Sequence, residues 1–291
     1  MVVSIRKRIK TIALLSVCAP LAMMSVSNGA LANASGEPKQ YLHGVSFASV
    51  TELPSRSPTR VMTYGEDENQ FIEIWASQNR DRIYPGGAGV VIVHGGCWRK
   101  EYGVDHVRPL ATALSDDGYN VFAIEYRRTG QPGGGWPGSL NDVRNAVKAV
   151  RDQYPKSSLA LVGHSAGGHL ALLAATDASL RLDAVIGLAA ITDVASYSEL
   201  KSSCSEAGVA FMGASVEDSP EAYAKANTRD KKIVPPLYLL TGKSDSIVPE
   251  SQNKHPQSKR FHGDNIGHFD WIHSQSEAYQ HLKNTLGRLY E

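Results

Sequence analysis

Between residues 88 and 242 the chain repeats one pattern: a short, almost continuous apolar run, then a stretch with apolar residues at helical spacing. The runs are GVVIV, NVFAI, LALV, AVIGLAA and PPLYLL. A strand with one wet face alternates apolar and polar residues, so an unbroken apolar run marks a strand covered on both sides. VDHVRPLATALSDDG, SLNDVRNAVKAVRDQY and AGGHLALLAATD supply the covers. In the second of these, Val143, Ala146, Val147 and Val150 share one helical face. Asp142 stands near its start, where a carboxylate favours the positive end of a helix. Strand and helix taking turns in this way predict an α/β fold: a mostly parallel central sheet with helices on both faces. No repeat or low-complexity block interrupts the pattern, so one domain accounts for residues 33 to 291.

The first 32 residues differ. IRKRIK is basic, TIALLSVCAPLAMMSV is apolar, and ALA before Asn33 has the small residues of a cleavage site, so residues 1–32 read as a secretory signal cut after Ala32. Pro20 and the small polar residues after it argue against an uncleaved membrane anchor, which needs about 20 predominantly apolar residues. A lipid anchor would use Cys18, but Val17 before it fits that signal poorly. A secreted or periplasmic protein with no stable membrane insertion is the expectation. Cleavage removes four basic and no acidic residues, taking the net charge from +1 to about −3, which gives a nucleic acid no attractive surface. It also leaves two cysteines, Cys97 and Cys204, either disulfide-bonded or two buried thiols.

The chemistry centres on LVGHSAGGHLAL, where Gly163, His164, Ser165, Ala166 and Gly167 form G-x-S-x-G between an apolar run and a helical pattern. A serine nucleophile on such a bend needs small flanking residues, because bulky ones would clash with the neighbouring strand and helix. The Ala166 amide then opens the helix, where partial positive charge is available to a developing oxyanion. HGGCW, residues 94–98, follows another buried run, and its glycines let backbone N–H groups turn toward a ligand. Gly95, Gly96 and Cys97 are therefore the other candidate oxyanion donors.

A hydroxyl needs a base, and the base an orienting carboxylate. In this architecture the chain order is serine, acid, histidine. Asp245 lies just beyond the buried run LYLLTG, and His268 sits in the glycine-marked loop IGHFDW. Asp193 also follows a strand pattern and is the competing acid, with helix capping as its other role; Asp270 is too near His268 in sequence to be preferred. His255, His262 and His273 have no metal-binding spacing with His268, so no metal and no cofactor are expected. His164 and His169 are assigned to packing or support, and Trp98, Trp136 and Phe211 to pocket walls or core.

These motifs resemble those of the α/β-hydrolase superfamily of esterases and lipases, over roughly residues 60–290. The HGGxW loop and the HFD histidine are similar to the small esterase and kynurenine formamidase branch. The resemblance implies Ser165, Asp245 and His268 as catalytic triad and Gly95, Gly96, Cys97 and Ala166 as oxyanion hole; Trp98, as a pocket wall, is expected against the substrate. The same resemblance implies a small-molecule ester as substrate; residues 196–227, which separate two strand patterns at the active-site edge, read as lid or pocket insert. One departure stands out: Asp245 and His268 are only 23 residues apart, so the helix or the strand usually between them is shortened. An exported carboxylesterase is the leading reading. An arylformamidase or other amide hydrolase, and a non-catalytic binding protein on the same scaffold, are the rivals.

Overall fold

A computed structural model of the chain describes residues 40–78, 87–200 and 202–290. The signal-like residues 1–32 and their expected cleavage point lie outside the described residues. The chain divides into two units, Met1–Gln40 and Tyr41–Glu291, and every element named below belongs to the second.

Eight strands form one sheet: β1 (Arg60–Thr63), β2 (Phe71–Trp75), β3 (Ala88–Val93), β4 (Asn120–Ile124), β5 (Ser158–His164), β6 (Ala184–Leu188), β7 (Leu237–Gly242) and β8 (Ser258–Gly263). Their order across the sheet is β1-β2-β4-β3-β5-β6-β7-β8. The β1–β2 and β2–β4 pairs are antiparallel, and all pairs from β4 to β8 are parallel. The mostly parallel sheet expected from the unbroken apolar runs is therefore present, with two antiparallel strands added at one edge.

Each central strand is apolar on both faces because each face has its own core. Val91 and Val93 of β3, Phe122 and Ile124 of β4, and Leu159 and Leu161 of β5 join one cluster. There they meet Val143, Ala146, Val147 and Val150, the predicted stripe of helix α3 (Gly138–Gln153). The alternate residues Val90, Ile92, Val121, Ala123, Ala160 and Val162 join the other. They pack on Leu110 and Leu114 of α2 (Arg108–Asp116) and on Leu282 and Leu286 of α8 (Glu277–Tyr290). Helix α4 (Ala166–Ala174) is buried at every position, as a helix apolar all round must be. A short α1 (Phe47–Thr51) precedes the sheet, and α5 (Val194–Ser198), α6 (Ser203–Met212) and α7 (Pro220–Ala226) fill the span between β6 and β7.

Asp142 departs from its expected role. It lies in the second turn of α3, not at its positive end, and is fully buried. Its carboxylate takes the Arg127 guanidinium at 2.7 and 2.8 Å, the Arg127 N–H at 3.0 Å and the Gln70 amide at 2.8 Å. It thus clamps the segment after β4 onto α3 and ties the β2 end to both. Asp142→Ala is expected to cost roughly 3 kcal/mol in a denaturant titration, the low end for breaking a buried pair, since the Arg127 side chain keeps 24% exposure. A loss under about 0.5 kcal/mol, typical of a surface change, would contradict this role.

Candidate active site

The strand β5 ends at His164, helix α4 begins at Ala166, and Ser165 makes the whole turn between them with φ 55° and ψ −121°. A non-glycine residue at positive φ is strained and persists only where its surroundings enforce it. They do so by contact: a Cβ at Gly163 would stand 2.7 Å from the Ala171 methyl, and one at Gly168 would stand 2.9 Å from Ala190 Cα. A Cβ at Gly167 would overlap the Val93 and His94 carbonyl oxygens. The Ser165 N–H is fixed by the Leu188 carbonyl at 2.9 Å.

Strand β3 delivers the second loop. Gly96, Cys97 and Trp98 all have left-handed φ values, 101°, 52° and 55°. Two devices hold the non-glycine pair there. Cys97 is disulfide-bonded to Cys204 of α6, and the Trp98 ring stacks on Phe211 at 4.8 Å. Beneath the loop, His94 Nδ1–H donates to the Gly95 carbonyl at 2.8 Å and Nε2 meets Glu125 at 3.0 Å. Arg128 reaches the same carboxylate at 2.6 Å and the Val104 N–H reaches it at 2.9 Å. Burial pushes the Glu125 carboxyl up, but His94, Arg128 and the Val104 N–H outweigh it and hold the group below the usual range. The amides of Gly96, Cys97 and Ala166 donate to no protein acceptor among the described residues. Gly95 packs under the turn; a Cβ there would sit 3.2 Å from Ser165 Cβ.

Strands β7 and β8 deliver the candidate acid, Asp245, and the candidate base, His268. Asp245 Oδ1 accepts the Ile247 and Val248 N–H groups, each at 2.8 Å, and Oδ2 meets His268 Nδ1 at 2.8 Å. The carboxylate is 1% exposed and the imidazole 5%. The acid loop leans on the base loop through Ser244 N–H to the Ile266 carbonyl at 3.1 Å. His164 Nε2–H donates to the His268 carbonyl at 2.9 Å and so pins the base loop to the turn at Ser165. The shortening between Asp245 and His268 falls on the helix, which is reduced to one 3₁₀ turn, Glu250–Gln252, while β8 remains. Asp193 is not beside His268: it caps α5 and pairs with Arg229 at 2.9 Å.

Ser165, His268, Gly96 and Cys97 line one cavity of about 400 Å³. Its apolar walls are Phe47, Tyr102, Ile247, Phe269 and the disulfide. Trp98, expected against the substrate, is not a lining residue: it is fully buried between Phe211 and His169 and serves the loop instead. Phe211 and Trp136 stand behind the cavity with it. Phe47 and Tyr102 were missed because nothing local in FASV or KEYG marks a pocket wall. Among the described residues no three metal-ligating side chains gather. His255 is occupied by the Lys231 carbonyl, His262 by Thr241, and His273 by the Gln275 N–H.

The Cys97–Cys204 bond closes a loop of 107 residues. Replacing both cysteines with serine is expected to cost about 2–4 kcal/mol and to lower kcat, since Cys97 loses its tether. Unchanged stability and rate would contradict that role. A second expectation concerns acid. Burial holds His164 well below its ordinary value, His106 at about 3 and His169 at about 4. The unfolded chain takes up these protons near pH 6.5, so their stability is complete above about that pH and drains away toward pH 4. Thermal midpoints are expected to fall through this window. His169→Gln, which keeps a donor for the Ala226 carbonyl without titrating, should flatten the fall; an unchanged slope would refute the assignment.

The fold is that of known esterase structures, among them Esterase B from Lactobacillus rhamnosis, with a TM-score of 0.64 at 19% identity over 84% of this chain and 90% of that one. A truncated carbohydrate esterase from gut microbiota gives 0.62 at 17% identity, over 81% and 99%. In sequence the chain is 28% identical over 217 residues to the probable carboxylic ester hydrolase LipM of Mycobacterium tuberculosis, covering 66% of this chain and 49% of LipM. A kynurenine formamidase of Meyerozyma guilliermondii is 28% identical over 116 residues, 40% of this chain and 42% of that one. The chain thus spans about half the length of these relatives. The BD-FAE family model matches residues 73–259, well over half of the sequence, and the chain belongs to that family of α/β hydrolases.

Proposed function

We propose that the protein is a serine hydrolase that cleaves small carboxylic esters through an acyl-enzyme. The observation that carries this reading is the shared cavity of Ser165, on its strained turn, and His268, with Nδ1 held by Asp245 at 2.8 Å. With Nδ1 committed, Nε2 is the ring nitrogen left to move a proton. It takes the Ser165 proton as the oxygen attacks the ester carbonyl, then gives it to the departing alcohol. Water, activated by the same nitrogen, attacks the acyl-enzyme and releases the acid. The N–H groups of Gly96, Cys97 and Ala166, with Gly95 beneath them, are the donors for the oxyanion. Asp245, already bound by two backbone N–H groups, fixes the ring tautomer and balances the imidazolium. The insert at residues 196–227 acts as lid, supported by Ser202 and Cys204 lining the cavity. Export is part of the proposal: the signal-like start and a disulfide beside the active site both suit an oxidising compartment.

The formamidase relatives favour one second reading, hydrolysis of an N-formyl aryl amine by the same machinery. Rates on acetyl esters and formyl anilides separate the two. The non-catalytic reading rested on the shortened acid-to-base segment, and the 2.8 Å Asp245–His268 contact removes that support. Ser165→Ala and His268→Ala are each expected to lower kcat on p-nitrophenyl acetate by about 10⁴-fold or more, and Asp245→Asn by about 10⁴. The serine–histidine double variant should be no worse than either single, because the pair acts as a unit. Hydrolysis that survives Ser165→Ala would overturn the mechanism.

A further inference from the structure

The segment before β1 reaches the catalytic centre through an unexpected contact. Asp270, two residues past His268, is fully buried. Its Oδ2 accepts the Gly44 N–H at 2.9 Å and the Gly267 N–H at 2.8 Å, and its Oδ1 accepts the Val45 N–H at 2.7 Å. A buried carboxylate is tolerated only when its oxygens are satisfied, and here backbone donors from two distant segments do it. Those segments touch: a Cβ at Gly267 would lie 3.3 Å from Gly44 Cα, and Leu42 N–H reaches the Gln275 carbonyl at 3.2 Å. The clasp spans 226 residues of sequence.

Two residues past Val45 comes Phe47. Its ring lies 5.5 Å from Phe269, 5.6 Å from Tyr102 and 5.6 Å from His106, contacts drawn from two separate parts of the chain, residues 102–106 and the base loop. All four rings line the cavity that holds Ser165 and His268. Phe269 in turn stands edge-on to His268 at 5.0 Å. Phe47 thus rides on a segment hydrogen-bonded to the base loop.

We propose that Asp270 clasps residues 44–47 onto the base loop so that Phe47 forms the wall that sets which acyl chains the cavity admits. Phe47 is thus a specificity-determining residue and Asp270 its positioning residue; the inference rests on the ester-hydrolase reading above. Truncating Phe47 opens space at the wall, so longer chains gain relative to acetyl. One methylene in an apolar pocket is worth about 10- to 200-fold, so a wall residue has room for a large effect.

The test measures kcat/KM of the full chain on p-nitrophenyl acetate, butyrate and octanoate, with Ser165→Ala as control. Phe47→Ala is expected to raise the octanoate-to-acetate ratio about tenfold or more. Asp270→Asn should shift it the same way, and the Phe47→Ala/Asp270→Asn variant no further than Phe47→Ala alone, since both act through one wall. Should Asp270→Asn fail to fold, Val45→Pro removes one donor and leaves the carboxylate. A ratio within about twofold of the parent in Phe47→Ala, or shifts that add in full, overturns the inference while Ser165-dependent hydrolysis stands. A parent inactive on all three esters, or unaffected by Ser165→Ala, overturns the ester-hydrolase reading and this inference together.

Discussion

Everything at the candidate site depends on one backbone constraint: Ser165 must turn from the central strand β5 into α4 in a single residue at φ 55°. A conformation of that kind costs on the order of 1–3 kcal/mol and needs over-determined surroundings. The parallel sheet supplies them. The β5 strand lies between β3 and β6, so Val93 and His94 press on Gly167 from one side and Leu188 holds the Ser165 amide from the other. Close approach of the helix to both strands is what excludes side chains at positions 163, 167 and 168. Glycine here follows from packing as much as from turn geometry.

The remaining groups arrive on loops at the same edge, and each loop is held by a different kind of interaction. The HGGCW loop rests on a buried charge cluster, Glu125 with His94 and Arg128, and on a disulfide to α6. The acid loop is held by its own carboxylate, since Asp245 closes two backbone N–H bonds before it meets His268. The base loop is tied at three points: to Asp245 through its imidazole, to His164 through the His268 carbonyl, and to the segment at 44–45 through Asp270. Ties of this kind fix the relative positions of the candidate catalytic groups, which is what electrostatic preorganisation requires.

Much of this was legible in the amino-acid sequence, and the limits are instructive. Unbroken runs such as GVVIV predicted two-sided burial because apolar residues at every position have no other economical arrangement, and β3 feeds both cores. Motif and chain order brought Ser165, Asp245 and His268 forward without any distance information. What stayed hidden is contact between remote segments. Trp98 reads as a pocket aromatic, yet Phe211, 113 positions further on, stacks on it and draws it into the core. Asp142 reads as a helix-start carboxylate, yet Arg127 claims it. Cys97 and Cys204 could be paired only by three-dimensional proximity. Phe47 carries no local signal, and Asp270 reads only as a rejected acid beside His268, because their contacts join opposite ends of the described chain.

The central claim is that Ser165 is a nucleophile activated by His268, and trapping it covalently is the most direct measurement. The protein is incubated with a p-nitrophenyl alkylphosphonate, and adducts are located by intact-mass and peptide mass spectrometry. The expected result is one adduct per chain, on Ser165, absent from Ser165→Ala and formed far more slowly in His268→Ala. An unmodified parent protein that remains folded, or a single adduct on another residue, would contradict the claim.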